Sequence, residues 1–231
     1  MKEKIILVLD VSSRAEALKL VQPSYDHVGM FKVGTQLFTA EGPSLVKEIV
    51  DLGGKVFLDL KFHDIPNTVT HGVLEAARLG VSMMTIHAAG GRAMMESVAK
   101  SLQDKFGERR PLVVAVTVLT SLSSPALREI GVERSMEQQV EAMTRLAEDC
   151  GIGGVVCSPQ EIGLVRRTVG REFKIVTPGI RMPGQPANDQ QRMATPREAI
   201  DAGADYLVVG RAVTSSANPR TALDAVLVSL L

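Results

Sequence analysis

The sequence predicts an α/β fold, a single (β/α)8 barrel domain filling residues 1–231. Eight short apolar runs recur along the chain, rich in Val and Ile and without clean alternation, as strands buried on both faces should be. Helix-length patterns with recognisable start signals lie between them. No linker or break in composition divides the chain. A doubly wound open sheet could be built from the same units, but the count of eight favours the barrel.

The elements follow in order. "IILVL" is the first strand and ends at Asp10, with Ser12 and Ser13 competing with Asp10 to cap the next helix. "VGMFKV" carries Lys32, and Gly53 sits where a helix ends before "KVFLDL". That third strand runs into "FLDLKFHDIPNTV", which sets Asp59, Lys61, His63 and Asp64 within six residues. Pro66 breaks the strand, and Asn67 or Thr68 is the expected cap of the following helix. Gly80 closes that helix, and "VSMMTIH" ends at His87. "LVVAVTV" leads to Thr120 and Ser121. Ser135 with Gln138 forms a capping box, and Gly151 ends its helix. "GGVVCS" leads to "SPQE", and "FKIVT" leads to Pro178, Gly179 and Arg181. "TPRE" at Thr195–Glu198 repeats the capping chemistry, with Gly203 at the helix end. "DYLVVG" closes the set and gives way to Arg211, and Asn218 with Pro219 opens a last helix.

Composition narrows the function classes. Lys plus Arg and Asp plus Glu are equal at 26 each, so no basic field invites nucleic acid or a membrane surface. No apolar stretch approaches a membrane span. The opening "MKEKIILVLDV" lacks a signal-peptide pattern, because Asp10 ends its apolar run after five residues, and the expected compartment is the cytoplasm. Cys150 and Cys157 read as small buried hydrophobes. His27, His71 and His87 have no metal-ligand spacing, so no metal is expected.

In such barrels the chemistry gathers at the carboxyl ends of the strands. Here those ends carry Asp10, Lys32, Asp59 with Lys61, His87, Thr120 with Ser121, Ser158, Arg181, and Gly210 with Arg211. "SPQE" already accounts for Ser158 as a cap. Period-two alternation puts Asp59 and Lys61 on one face. A buried ion pair rarely improves stability over apolar packing, and Lys32 adds a second cation that a simple pair does not need. Asp64 lies beyond the strand, where it either bends back or reaches a neighbouring subunit. Gly210 and Arg211 follow the last strand, the common phosphate position of this architecture. "PGIRMPGQPANDQQRMATP" reads as a loop closing over ligand, with Arg181 and Gln190 in it.

"LDLKFHDIPNTV" resembles the signature of the orotidine 5′-monophosphate decarboxylase family, and "LVLDV", "FKVG", "TIHAAGG", "VTVLTS", "TPGIR" and "VVGR" extend the likeness along the chain. The resemblance implies a homodimer of (β/α)8 barrels that needs neither metal nor organic cofactor. It implies an alternating charge row of Lys32, Asp59, Lys61 and the partner chain's Asp64, with Lys61 as proton donor. Asp10 and Lys32 are implied to contact ribose, joined by Thr68 from the partner. Thr120 and Ser121 are implied to face the pyrimidine, and Gln190, Gly210 and Arg211 to bind phosphate with Arg181 close by. Two other readings stay open. One is a metal-dependent phosphosugar aldolase of the same suprafamily, whose members carry a metal-binding acid where this chain has Lys32. The other is a noncatalytic phosphate-binding barrel.

Overall fold

The computed structural model describes residues 1–182, 192–216 and 218–230. All eight apolar runs form strands: β1 (Ile5–Val8), β2 (Met30–Gly34), β3 (Val56–Phe62), β4 (Met83–His87), β5 (Leu112–Val116), β6 (Gly154–Val156), β7 (Lys174–Thr177) and β8 (Tyr206–Val209). They close in chain order into a parallel barrel, β8 returning to β1 through Ile6↔Val208. Around it lie α1 (Arg14–Val21), α2 (Thr35–Asp51), α3 (Pro66–Arg78), α4 (Gly91–Phe106), α5 (Ser124–Glu129), α6 (Met136–Asp149), α7 (Ile162–Thr168), α8 (Pro196–Ala202), α9 (Arg211–Thr214) and α10 (Pro219–Val228). This is the expected (β/α)8 TIM barrel, not an open sheet. Among the described residues, no helix is long and apolar enough to cross a membrane.

Two apolar layers explain why the strands do not alternate. Ile6, Val8, Met30, Phe57, Met83, Val114, Val176 and Val208 fill the barrel interior. Ile5, Leu7, Phe31, Val33, Leu58, Met84, Ile175 and Leu207 pack outward among the helices. With both faces dry, neither tolerates a polar residue without a partner. The free cysteines Cys150 and Cys157 are buried in the outer layer, as expected of small hydrophobes.

Most helix ends follow the local signals. Ser135 with Gln138 and Thr195 with Glu198 form capping boxes, and the Asn218 side chain accepts from the Thr221 N–H. Gly203 ends α8 in the left-handed region at φ 113°, where a Cβ would be strained. Ser13, not Asp10, caps α1, which leaves Asp10 for other work. One expectation fails. Neither Asn67 nor Thr68 caps α3; the N-cap is Ile65, with Pro66 at the first helical position. Proline's fixed φ and missing N–H suit that position and move the helix start two or three residues earlier.

Candidate active site

The register of the strands builds the site. Met30, Phe57 and Met83 point into the barrel, so residues two further along β2, β3 and β4 point the same way, one layer higher. Those residues are Lys32, Asp59 and Thr85. Val8 pairs with Lys32 and Gly34 with Asp59 across neighbouring strands, which sets the three polar side chains side by side at the barrel mouth. Asp59 Oδ2 lies 3.2 Å from Lys32 Nζ, and Asp59 Oδ1 lies 2.8 Å from Lys61 Nζ. Asp10 Oδ1 continues the row at 3.9 Å from Lys32 Nζ. Side-chain exposure is only 12% for both Lys32 and Asp59, against 66% for Asp10 and 40% for Lys61, so the middle of the row is buried and both its ends open to solvent. Gly34 serves the same row. A Cβ there would stand 3.1 Å from the Lys32 ammonium, a distance that would push it away.

Asp59 and Lys61 do meet, but not through regular alternation. The β3–β4 register slips between Leu58 and Phe62, and Lys61 adopts φ 52°. A left-handed backbone at a non-glycine residue costs on the order of 1 kcal/mol or more and needs support from its surroundings. Thr85 provides it. The Lys61 N–H donates to Thr85 Oγ1 at 2.8 Å, and Thr85 Oγ1 donates to Asp59 Oδ1 at 3.0 Å. One fully buried hydroxyl thus satisfies the displaced amide and holds the carboxylate. Nothing in the strand-end reading singled out Thr85. Its signal was there: a polar residue in phase with interior Met83 in the otherwise apolar "MMTI".

Electrostatics follow from this packing. Burial pushes the Asp59 carboxyl up, but Lys32 and then Lys61 more than offset it, so its pKa lies below the ordinary value. The carboxylate is therefore charged, and it holds two ammonium groups of like sign close together. His87 stacks on His63, ring centroids 5.1 Å apart, and its Nδ1 accepts from the Ala89 N–H. Its pKa is lowered, first by burial, then by His63 and by Lys61.

The row lies along a cavity of about 240 Å³ lined by Asp10, Lys32, Asp59, Lys61, Thr120, Arg181, Gly210 and Arg211, with Val8, Phe57, Val118, Leu119, Pro178, Gly179 and Val208 among its apolar walls. A Cβ at Gly210 would make only ordinary contact with Val8, at 3.5 Å, so the chain's own packing does not demand glycine there. The arrangement offers charge for a reacting centre at one end and, at Arg211, a guanidinium for an anion at the other. Ser121 is exposed beside this cavity rather than in its lining. Asp64 and Thr68 lie exposed at the start of α3, and Asp64 Oδ1 accepts from the Ile65 N–H. Gln190 lies outside the described residues. Among the described residues, no group of three His, Cys, Asp or Glu side chains could hold a metal ion.

The family model for the "Orotidine 5'-phosphate decarboxylase / HUMPS family" matches residues 3–226. The chain belongs to this family. A relative from Syntrophotalea carbinolica named orotidine 5′-phosphate decarboxylase is 52% identical over 221 residues, covering 94% of this chain and 91% of its own length. One of the same name from Geotalea daltonii is 47% identical over 231 residues, covering 100% and 97%. The crystal structure of orotidine 5′-phosphate decarboxylase from Lactobacillus acidophilus superposes with a TM-score of 0.87 at 36% identity, covering 98% of each chain. In this decarboxylase family member the motif "LDLKFHDIPNTV" is therefore the stretch that bends at Lys61 and delivers Asp59 and Lys61 to the barrel mouth.

Proposed function

We propose that the cavity binds orotidine 5′-monophosphate and decarboxylates it to UMP, the step that completes de novo pyrimidine synthesis. The observation that carries this reading is the Asp10–Lys32–Asp59–Lys61 row at the barrel mouth of a chain belonging to this family. Breaking the bond between C6 and the carboxylate releases CO₂ and leaves the electron pair in an in-plane orbital that the ring π system cannot delocalise. An ammonium already fixed at C6 stabilises that charge without reorganising, and it can then give its proton to the carbon. Lys61 takes that role, and solvent restores its proton. Asp59, charged in the free protein, holds the ammonium in place.

Phosphate sits at Gly210 and Arg211, with Gln190 and Arg181 adding contacts, so binding energy from the far end of the nucleotide supports chemistry at C6. Asp10 and Lys32 hold the ribose, and Thr120 and Ser121 meet the pyrimidine. Asp64 and Thr68, exposed on this chain, complete the site of a second copy in a homodimer. The fixed ammonium of Lys32 beside Asp59 disfavours a metal cation at the same carboxylate, which argues against an aldolase. The test is loss of orotidine monophosphate absorbance with UMP appearing, in the presence of a chelator. Turnover that collapses with chelator and returns with a divalent cation would favour the aldolase class. No turnover at all would leave a binding barrel.

A further inference from the structure

Arg192 joins parts of the molecule that the proposed chemistry does not explain. Its Nη1 pairs with Glu161 Oε1, and its Nη2 donates to the carbonyls of Leu119 and Leu122 at 3.4 Å each. Glu161 uses its other oxygen to accept from the Ser158 N–H at 2.9 Å. Both side chains are nearly buried, at 12% exposure for Arg192 and 5% for Glu161. A desolvated pair of this kind adds little net stability over apolar packing, so its retention points to geometry rather than strength.

The geometry is specific. Leu119 and Leu122 are the two ends of a turn closed by the Leu122 N–H on Leu119 O at 2.9 Å, and Leu119 and Thr120 line the cavity. Two residues beyond Arg192, Ala194 pairs with Ile180 as an isolated bridge; its carbonyl accepts from the Arg181 N–H at 3.0 Å and its N–H donates to Gly179 O at 3.4 Å. Gly179 and Arg181 line the same cavity from the connection after β7. One guanidinium therefore ties the wall after β5 to the wall after β7, with Glu161 after β6 as its fixed post.

We infer that Arg192 is a positioning residue. Held by Glu161, it sets the separation of the Leu119–Thr120 wall from the Gly179–Arg181 wall, and with it the alignment of a bound nucleotide between its ring end and its phosphate end. It touches no reacting atom and acts through the two walls. The kinetic arm of this inference rests on the decarboxylase reading; the exchange arm does not.

The experiment compares wild type with Arg192→Ala, Arg192→Lys, Glu161→Ala and the Arg192→Ala/Glu161→Ala double variant. Hydrogen exchange on the free proteins should quicken in the Leu122 and Arg181 amides of Arg192→Ala while the barrel strands stay protected. On orotidine monophosphate, kcat/KM should fall about 10- to 100-fold, as expected for walls shifted by something near an ångström. Arg192→Lys should recover part of that loss. The double variant should be no worse than the poorer single one, because the two residues act as a unit. Should Glu161→Ala fail to fold, Glu161→Gln, which keeps an acceptor for Ser158, replaces it. Wild-type exchange in both segments with wild-type kcat/KM in Arg192→Ala would overturn the inference. So would a lowered Tm with exchange and kinetics unchanged, since that is what a merely stabilising pair would give. If wild type itself does not decarboxylate the nucleotide, the proposed function fails, and the exchange arm still decides on Arg192.

Discussion

Replacing Thr85 with Val tests how the charge row is held. The two side chains have nearly the same shape, so the change deletes a hydroxyl and opens no cavity. Two hydrogen bonds go: the Lys61 N–H loses its acceptor at 2.8 Å and Asp59 Oδ1 loses a donor at 3.0 Å. An unsatisfied buried amide costs roughly 1–3 kcal/mol and a bond to a charged acceptor contributes roughly 1.5–3 kcal/mol, so a loss of about 3 kcal/mol is expected. At roughly 2–4 °C per kcal/mol for a chain of this size, Tm should drop by about 6–12 °C. The support for the left-handed Lys61 goes with it, so its ammonium should leave Asp59 by a fraction of an ångström or more. That displacement should lower kcat on orotidine monophosphate by about 10- to 100-fold. Calorimetry and steady-state kinetics on the same preparation read both effects. Thr85→Ser, which keeps the hydroxyl, should recover most of the rate. A Val variant with wild-type kcat would show that Lys61 holds its place without Thr85 and would refute the reasoning.

Other perturbations follow from the same geometry. Arg211→Ala should raise KM strongly and lower kcat as well, while a substrate without phosphate, poor for wild type, should lose little more; equal proportional losses on both substrates would place Arg211 away from phosphate. Asp59 has a depressed pKa, so its contribution to stability is present above the unfolded carboxylate value of about 3.9 and is lost as pH falls through the lower folded value. Lys32→Met removes the larger of the two coulombic influences that lower Asp59, so its folded value should rise toward the unfolded one, and in Tm measured against pH the acid loss should be smaller and end at a higher pH; superposable acid limbs would remove Lys32 from that role. Mixing inactive Lys61→Ala and Asp64→Ala chains with subunit exchange should restore roughly one quarter of wild-type activity, because about half the dimers are mixed and each has one intact site of two. Activity that stays at the level of the separate variants would keep Asp64 within its own chain.

The strands and most helix ends were legible because their signals are local. Runs such as "IILVL" and "DYLVVG" need no partner to be read as doubly buried strands, and "TPRE" announces its own cap. Lys32, Asp59 and Lys61 were legible for a related reason: charge at the end of a core strand has few other uses. What escaped depended on pairing between strands. The β3–β4 register slip and the φ of 52° at Lys61 exist because Thr85, on the neighbouring strand, offers its hydroxyl to a displaced amide. Alternation along β3 alone could not contain that. Arg192 escaped likewise, because its partners Leu119 and Leu122 come from the connection after β5 and Glu161 from the one after β6, while Arg192 itself follows β7. The start of α3 lies two or three residues before the expected cap for a local reason: Pro66 outweighed the capping side chains that follow it.

The central claim is that Lys61, fixed by Asp59, supplies the proton to C6. Its most direct test is a single-turnover measurement with Lys61→Ala and excess enzyme, together with equilibrium binding of UMP to the same variant. The account predicts UMP binding within a few-fold of wild type, since Arg211 and Gly210 are untouched, and a rate of CO₂ release too slow to detect on the wild-type timescale. Near-normal release of CO₂ from nucleotide bound to Lys61→Ala would contradict it.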